Sequence, residues 1–229
     1  MHDFTWTDPP SRFAFPIAAA GLPLIFGAAF ATLILALLGL TAPALIGLVA
    51  TFGICCFFRD PDRVVPVIPG ATVSPADGKV IATALTDGGA FYQGPCRKVS
   101  IFMSVFNVHV NRIPAEGRVT GVRYRPGQFV AADRQDASGR NEHNAVFLST
   151  DDGRSLCVVQ VAGLVARRII CRVQAGDRLL RGQRFGMICF GSRLDVYLPP
   201  DVRLQVSVGD RVSAGSTVLG TFGATPTAA

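Results

Sequence analysis

The chain has 229 residues, enough for one domain of ordinary size and an appendage. Its 24 glycines and 15 prolines favour a turn-rich β body over a helical bundle, and its six cysteines form no C-x-x-C or Cys/His metal-ligand spacing, so free thiols and no metal site are expected. A formal charge of +6 suits an anionic partner, and a mean hydropathy of +0.39 requires a strongly apolar segment, which points to an acidic bilayer rather than nucleic acid.

Residues 1–12 are polar and carry Trp6, the only tryptophan, where an indole suits a membrane interface. From Phe13 to Phe58 no residue is charged. A spanning helix needs about 20 residues, so the run fits two helices, roughly Pro16–Leu40 and Pro43–Phe58, broken at Thr41-Ala42-Pro43. The second is short for a full span, and a tight or re-entrant hairpin with both ends on one side is expected. Arg12, Arg59 and Arg63 flank it and mark the cytoplasmic face of the cell membrane. The run is too long for a signal peptide and lacks the basic cluster of one; with no polar face, it does not read as a core helix. Phe58-Arg59-Asp60-Pro61 ends it abruptly, giving an expected leader over 1–58 and a body over 59–229.

In the body, Val99–Met103, Ala145–Leu148, Leu156–Val161, Gly186–Phe190 and Arg193–Pro199 read as strands. Two internal echoes appear: Pro75-Ala76-Asp77-Gly78-Lys79-Val80 recurs as Pro114-Ala115-Glu116-Gly117-Arg118-Val119, and Gly176-Asp177-Arg178 recurs as Gly209-Asp210-Arg211. Quasi-duplicated hairpins of this kind predict a mainly β fold, a lipoyl/biotinyl-like β-sandwich carrying the N-terminal apolar helical hairpin. Lys79 opens a strand rather than tipping a hairpin, which argues against a carrier lysine.

Three residue types in the body can do covalent chemistry together. Ser192 follows Gly191 at a kink between two strands, where a hydroxyl is presented on strained backbone. His109 lies in Phe106-Asn107-Val108-His109-Val110-Asn111-Arg112, where alternation puts its ring on a face with Asn107 and Asn111. Asp77 sits in a Pro-Ala-Asp-Gly turn, and Glu142-His143 belong to a polar cluster, Asn141–Asn144. A hydroxyl, an imidazole and a carboxylate are the parts of a Ser/His/Asp relay. There is no G-x-S-x-G, Walker A, dinucleotide or H-E-x-x-H pattern.

Six segments then occur in one order: Phe58-Arg59-Asp60-Pro61; Ser74-Pro75-Ala76-Asp77-Gly78; Phe106–Arg112 with Pro114; Asn141-Glu142 with Asn144; Gln160–Ile169; and Phe190-Gly191-Ser192-Arg193. The series, from about residue 55 to 222, resembles the short bacterial and archaeal form of phosphatidylserine decarboxylase, and the apolar leader fits it. The resemblance implies a proenzyme that cuts itself at Gly191–Ser192. Ser192 Oγ attacks the Gly191 carbonyl, the resulting ester eliminates, and loss of ammonia leaves a covalent pyruvoyl group derived from Ser192. The products are a β chain, 1–191, and an α chain, 192–229, which stay together as a heterodimer.

By the same resemblance Asp77 matches the relay carboxylate. His109 matches the first of two histidines known from the longer form, and Arg112 stands where the second is expected. Two readings follow: His109 serves both cleavage and decarboxylation, or Asp77 activates Ser192 directly. His143, where many relatives carry Arg, is expected to be neutral to mechanism. The pyruvoyl ketone would form a Schiff base with the amine of phosphatidylserine and act as the electron sink for CO₂ loss, giving phosphatidylethanolamine. Arg112, Arg167 and Arg168 are the candidate phosphate-binding residues, and His109 the candidate for carboxylate contact or proton delivery. The alternatives are a pyruvoyl decarboxylase of a soluble amino acid and a membrane-anchored lipoyl-like adaptor without catalysis. Both expect less: the first no apolar leader, the second no cleavage.

Overall fold

The computed structural model of the chain describes residues 16–130, 140–163, 168–189 and 191–223; Trp6, Arg12, Arg167 and Phe190 lie outside them. The described residues divide into two compact units, one ending at Asp62 and the other beginning at Arg63.

The first unit is helical because its sequence offers no charge and many helix formers. A 3-10 turn at Ala19–Gly21 leads into α1 (Leu22–Leu37), and α2 (Thr41–Phe57) returns. The stretch Ala19–Leu37 is long and apolar enough to cross a membrane by length and composition; Thr41–Phe57 is shorter. Large apolar side chains, among them Phe26, Phe30, Ile46 and Phe52, are exposed. The ends lie side by side: Ala18 N–H donates to Phe58 O and Asp60 N–H to Pro16 O, both at 2.8 Å. Arg59 Nη1 donates to the Cys56 carbonyl at 2.7 Å, closing the C-terminus of α2.

The break between the helices differs from the expected Thr41-Ala42-Pro43. It falls at Leu38–Leu40, and Thr41 already belongs to α2. The stop is Gly39, at φ 72°. Leu40 N–H bonds Leu35 O and Gly39 N–H bonds Ala36 O, each at 3.0 Å, the Schellman pattern. Pro43 is tolerated because it sits in the first turn, where its missing N–H would have had no intrahelical partner.

The second unit is mainly β. Its strands are β1 (Ala71–Val73), β2 (Gly78–Asp87), β3 (Pro95–Met103), β4 (Val110–Arg112), β5 (Gly117–Arg125), β6 (His143–Ser149) and β7 (Ser155–Val161). They continue as β8 (Ile169–Cys171), β9 (Arg178–Leu179), β10 (Arg184–Ile188), β11 (Ser192–Leu198), β12 (Arg203–Leu204), β13 (Arg211–Val212) and β14 (Val218–Thr221). Eight form one antiparallel sheet in the order β13-β2-β3-β11-β7-β6-β5-β9; β1-β14-β12 and β4-β10-β8 are smaller sheets.

Alternation sorts the large sheet's two faces. Val99 and Ile101 of β3, Val158 of β7 and Leu194 and Val196 of β11 share one core with Phe185 of β10 and Leu219 of β14, so the small sheets cover that face. Each such side chain contributes about 1.5–3 kcal/mol on burial. Cys157, Val159 and Tyr197 line the other face, under Phe91 and Tyr92 of the Gly88–Gly94 loop.

The echoed segments are partners. Lys79 pairs with Arg211 and Gly78 with Val212; in the second copy Arg118 pairs with Arg178 and Gly117 with Leu179. The copies also bond each other reciprocally: Val73 N–H donates to Pro114 O at 2.8 Å, and Arg112 N–H to Pro75 O at 2.9 Å. Each half thus closes the other across a local two-fold relation, which brings the Pro-Ala-Asp-Gly turn beside β4.

Candidate active site

The large sheet places Ser192 and, just before β2, Asp77 at one end, while His109, Arg112 and Arg168 lie on or beside strands of the small sheet β4-β10-β8. Ser192 opens β11, between β3 and β7, and is fully buried. Gly191, just before it, has φ 61°, and an added Cβ would meet nothing within 4 Å. The backbone therefore bends through a conformation that only glycine enters cheaply, in open space, as it delivers Ser192 into the sheet.

Ser192 Oγ lies 3.6 Å from Met103 Sδ, its cross-strand neighbour. Asn111 Nδ2 approaches the same sulfur at 3.7 Å. Behind Asn111 runs a buried amide row: Gln160 Nε2 donates to Asn111 Oδ1 at 2.9 Å, and Asn144 Nδ2 donates to Gln160 Oε1 at 3.1 Å. A buried amide chain of this kind is stable only when its members satisfy one another, and it fixes their orientation. The serine thus sits at the edge of a rigid polar patch inside an apolar sheet.

Asp77 precedes β2 at the same end. Its Oδ2 takes Arg63 Nη2 at 2.7 Å and its Oδ1 takes the Ala214 N–H at 2.7 Å. Lys79, Phe102 and Arg193 form one row across β2, β3 and β11, and Ser192 stands one residue beyond it. At about 4.8 Å per strand, the backbones of Asp77 and Ser192 are roughly 10 Å apart or slightly more. The two residues share the site end, with Asp77 engaged by Arg63 and the Ala214 N–H and Ser192 Oγ near Met103 Sδ.

His109 is fully buried, immediately before β4, and its carbonyl accepts the Ile188 N–H at 3.3 Å. That bond sets the histidine against the segment leading to Gly191. The expected shared face with Asn107 does not form: only Val110–Arg112 are strand, and Asn107 Oδ1 instead accepts Ser104 N–H at 2.9 Å and Ser104 Oγ–H at 2.8 Å, closing a turn. Asn111 is the residue of that face that reaches the site.

The arginines separate by exposure. Arg112 is buried and its Nη1 donates to the Gly182 carbonyl at 2.9 Å. Arg168 is exposed, and its carbonyl accepts the Cys189 N–H at 3.2 Å, beside the Gly191 bend. Arg167 lies outside the described residues. Burial pushes the Cys189 thiol above its ordinary range, and the Arg168 charge pulls the other way to a smaller extent. The thiol next to the bend is accordingly held protonated at neutral pH and is a poor rival to the Ser192 hydroxyl.

His143 lies on the opposite face, in line with Val161 and Arg193, with its Nδ1 2.8 Å from Asn141 O and its ring edge-on to Phe91. Asn141 holds the loops around the site: its Oδ1 accepts Val130 N–H at 3.0 Å, and its Nδ2 donates to Val130 O at 2.8 Å and Ala162 O at 2.7 Å.

Two features went unread in the sequence. Arg63, taken as a membrane-flanking charge, is the partner of Asp77. Behind Ser192, Arg193 and Asp195 form a buried ion pair, Nε to Oδ1 at 3.0 Å, with Lys98 Nζ 3.2 Å from Asp195 Oδ2. The signal for the second was present: charges at alternate positions of an otherwise apolar strand put both on one buried face. Among the described residues no cluster of His, Cys, Asp and Glu could hold a metal.

Comparison with known proteins gives a consistent result. Residues 52–220 match the family model described as phosphatidylserine decarboxylase. A phosphatidylserine decarboxylase proenzyme of Desulfotalea psychrophila is 49% identical over 205 residues, covering 90% of this chain and 96% of its own. Proenzymes of the same name from Syntrophus aciditrophicus and Geotalea uraniireducens are 47% and 49% identical, again over 90% of this chain and 97% and 96% of theirs.

Proposed function

Because the chain belongs to the phosphatidylserine decarboxylase family, we propose that it converts phosphatidylserine to phosphatidylethanolamine with a pyruvoyl group made from its own Ser192. The observation that carries the reading is the junction itself: a buried serine that opens a central strand directly after a glycine at φ 61°. The hydroxyl is shielded from water, and the carbonyl before it belongs to a residue with open space around its Cα.

In the self-cleavage, Ser192 Oγ attacks the Gly191 carbonyl carbon while its proton passes to a base. The peptide C–N bond breaks and the acyl group moves to oxygen. Removal of the Cα proton of residue 192 expels the Gly191 carboxylate, and hydrolysis of the dehydroalanine releases ammonia and leaves the ketone. The site fits this product: residue 192 is buried opposite Met103 of β3, the next residue pairs with both β3 and β7, and the Asn111–Gln160–Asn144 row lies alongside. A ketone at residue 192 would supply, through a Schiff base with the substrate amine, the electron sink that decarboxylation needs.

The chain's own residues do the rest. Asp77, oriented by Arg63 and the Ala214 N–H, is the relay carboxylate. His109 receives the substrate carboxylate or returns the proton to the α-carbon. Arg168, exposed beside the bend, meets the substrate phosphate together with Arg167, while Arg112 holds the Gly182 turn. The apolar helices keep the enzyme on the cytoplasmic face of the cell membrane, where the substrate lies. Leader 1–58 and catalytic body 59–229 are the functional divisions, and the cut body is a heterodimer of 1–191 and 192–229.

A denaturing gel with intact-mass measurement of membrane-purified protein tests the reading. Two chains split at Gly191/Ser192, the smaller with a blocked N-terminus, are expected, whereas Ser192→Ala stays full length. A single uncut wild-type chain, or cleavage of Ser192→Ala at that bond, overturns it.

A further inference from the structure

The β3–β4 connection presents an apolar tip beside the site. Met103 pairs with Ser192, and the chain then turns through Ser104–Asn107 with Val105 45% and Phe106 84% exposed. The turn is built rather than slack, because Asn107 Oδ1 ties both the N–H and the hydroxyl of Ser104. The braced turn holds the Phe106 ring largely exposed, and moving that ring into an apolar phase is favourable.

The surroundings say what the tip faces. Arg125, which closes β5 opposite His143, and Arg140, which precedes β6, are exposed at the end of the large sheet where Ser192 begins β11; Arg168, also exposed, precedes β8 of a small sheet, and its carbonyl meets the Cys189 N–H beside the Gly191 bend. Of the described acids at this end, Glu142 is only partly exposed and close to Tyr124, and Asp77, also partly exposed, is paired with Arg63. An apolar tip within a cationic rim matches the head-group and upper acyl region of an anionic bilayer, where rings insert and arginines meet phosphates.

We propose that Val105–Phe106 is a membrane-insertion loop that seats the site end of the β body on an anionic bilayer. The occupant is the bilayer itself, not the acyl chain of one bound substrate. The inference deepens the decarboxylase reading and rests on it for its purpose, which is to bring the head group to Ser192 without extracting the lipid.

Trp6 is the only tryptophan, so Phe106→Trp in a Trp6→Phe background gives a single reporter in the full-length chain. In phosphatidylcholine/phosphatidylglycerol vesicles containing no phosphatidylserine, blue-shifted emission quenched by lipids brominated high on their acyl chains is expected. Water-like emission quenched only by aqueous iodide, or insertion that appears only when phosphatidylserine is added, overturns the proposal. This arm requires no catalysis, so it stands or falls separately from the decarboxylase reading. In the catalytic arm, Phe106→Ser should raise KM for phosphatidylserine in vesicles by about tenfold or more, given the burial term, and leave turnover of a short-chain, water-soluble phosphatidylserine unchanged. An equal loss on both substrates would assign Phe106 to the pocket and overturn the membrane role.

Discussion

Replacing Asp195 by Ala tests the buried ion cluster behind the junction. Its carboxylate is fully buried and faces Arg193, whose side chain is 3% exposed, and Lys98, at 21%. Lys98 can turn to water, so its share is small. Arg193 cannot, and removal of Asp195 leaves its guanidinium buried without that counter-charge. Breaking a buried pair in this way costs about 3–5 kcal/mol, against roughly 5–15 kcal/mol of total stability for a domain. With a urea slope of about 2 kcal/mol per molar, the midpoint should fall by roughly 2 M. The assay is pulse proteolysis in urea on full-length chain carrying Ser192→Ala, so that no cut intervenes. Joint replacement, Arg193→Met with Asp195→Leu, should recover most of the loss, since an apolar pair of similar volume replaces a buried ion pair at little cost. A shift under about 0.5 M for Asp195→Ala, or a double variant as weak as the single, would refute this account.

Two further outcomes follow from the geometry. Gly191→Ala meets no neighbour, so its penalty is backbone strain alone, and in the uncut Ser192→Ala background it should lower stability by about 1–2 kcal/mol, the cost of a left-handed residue; a urea midpoint unmoved by the change would show that no strain is held at residue 191. The alkaline limit of the fold is also set. Burial first, then Asp195, raises the Tyr197 phenol; burial raises the Cys157 thiol, against Arg123 and with Asp195. Both groups are neutral when protonated, and the unfolded chain loses these protons first, from about pH 8.5 for the thiol and about pH 10 for the phenol. Stability is therefore whole below that range and falls as pH rises through it, by up to about 1.4 kcal/mol per pH unit per group. A urea midpoint that stays flat from pH 8 to 11 contradicts this.

Much of the fold can be read from local pattern. The uncharged run to Phe58 gives the helices, and alternation gives β3, β6, β7 and β11, because period-2 burial is a property of each strand alone. The helix break was misplaced by a few residues because Pro43 attracts attention, whereas Gly39 does the stopping. In the site, Ser192 is legible from its setting between two strand-like runs. The Arg63–Asp77 contact is not: it joins segments on either side of β1, and their approach depends on the reciprocal closure of the two halves. Asn107 misled for a related reason, since a side chain that captures its own turn competes with the strand that alternation suggests.

The position of β11 has a consequence for timing. It is an interior strand, and β13 and β14, also beyond residue 192, pair with β2 and β1. The Gly191–Ser192 junction therefore acquires its geometry only once the last thirty or so residues have been synthesised and threaded home. On the proposed self-cleavage, a ribosome-bound fragment would lack the machinery to sever itself, and the scission would act as a molecular receipt that folding is complete. On the proposed cut, the pieces would behave as a complementing split protein, stitched along four strand pairings among the described residues: β11 with β3 and with β7, β13 with β2, and β14 with β1. Loss of the covalent link leaves each strand with the neighbours it had.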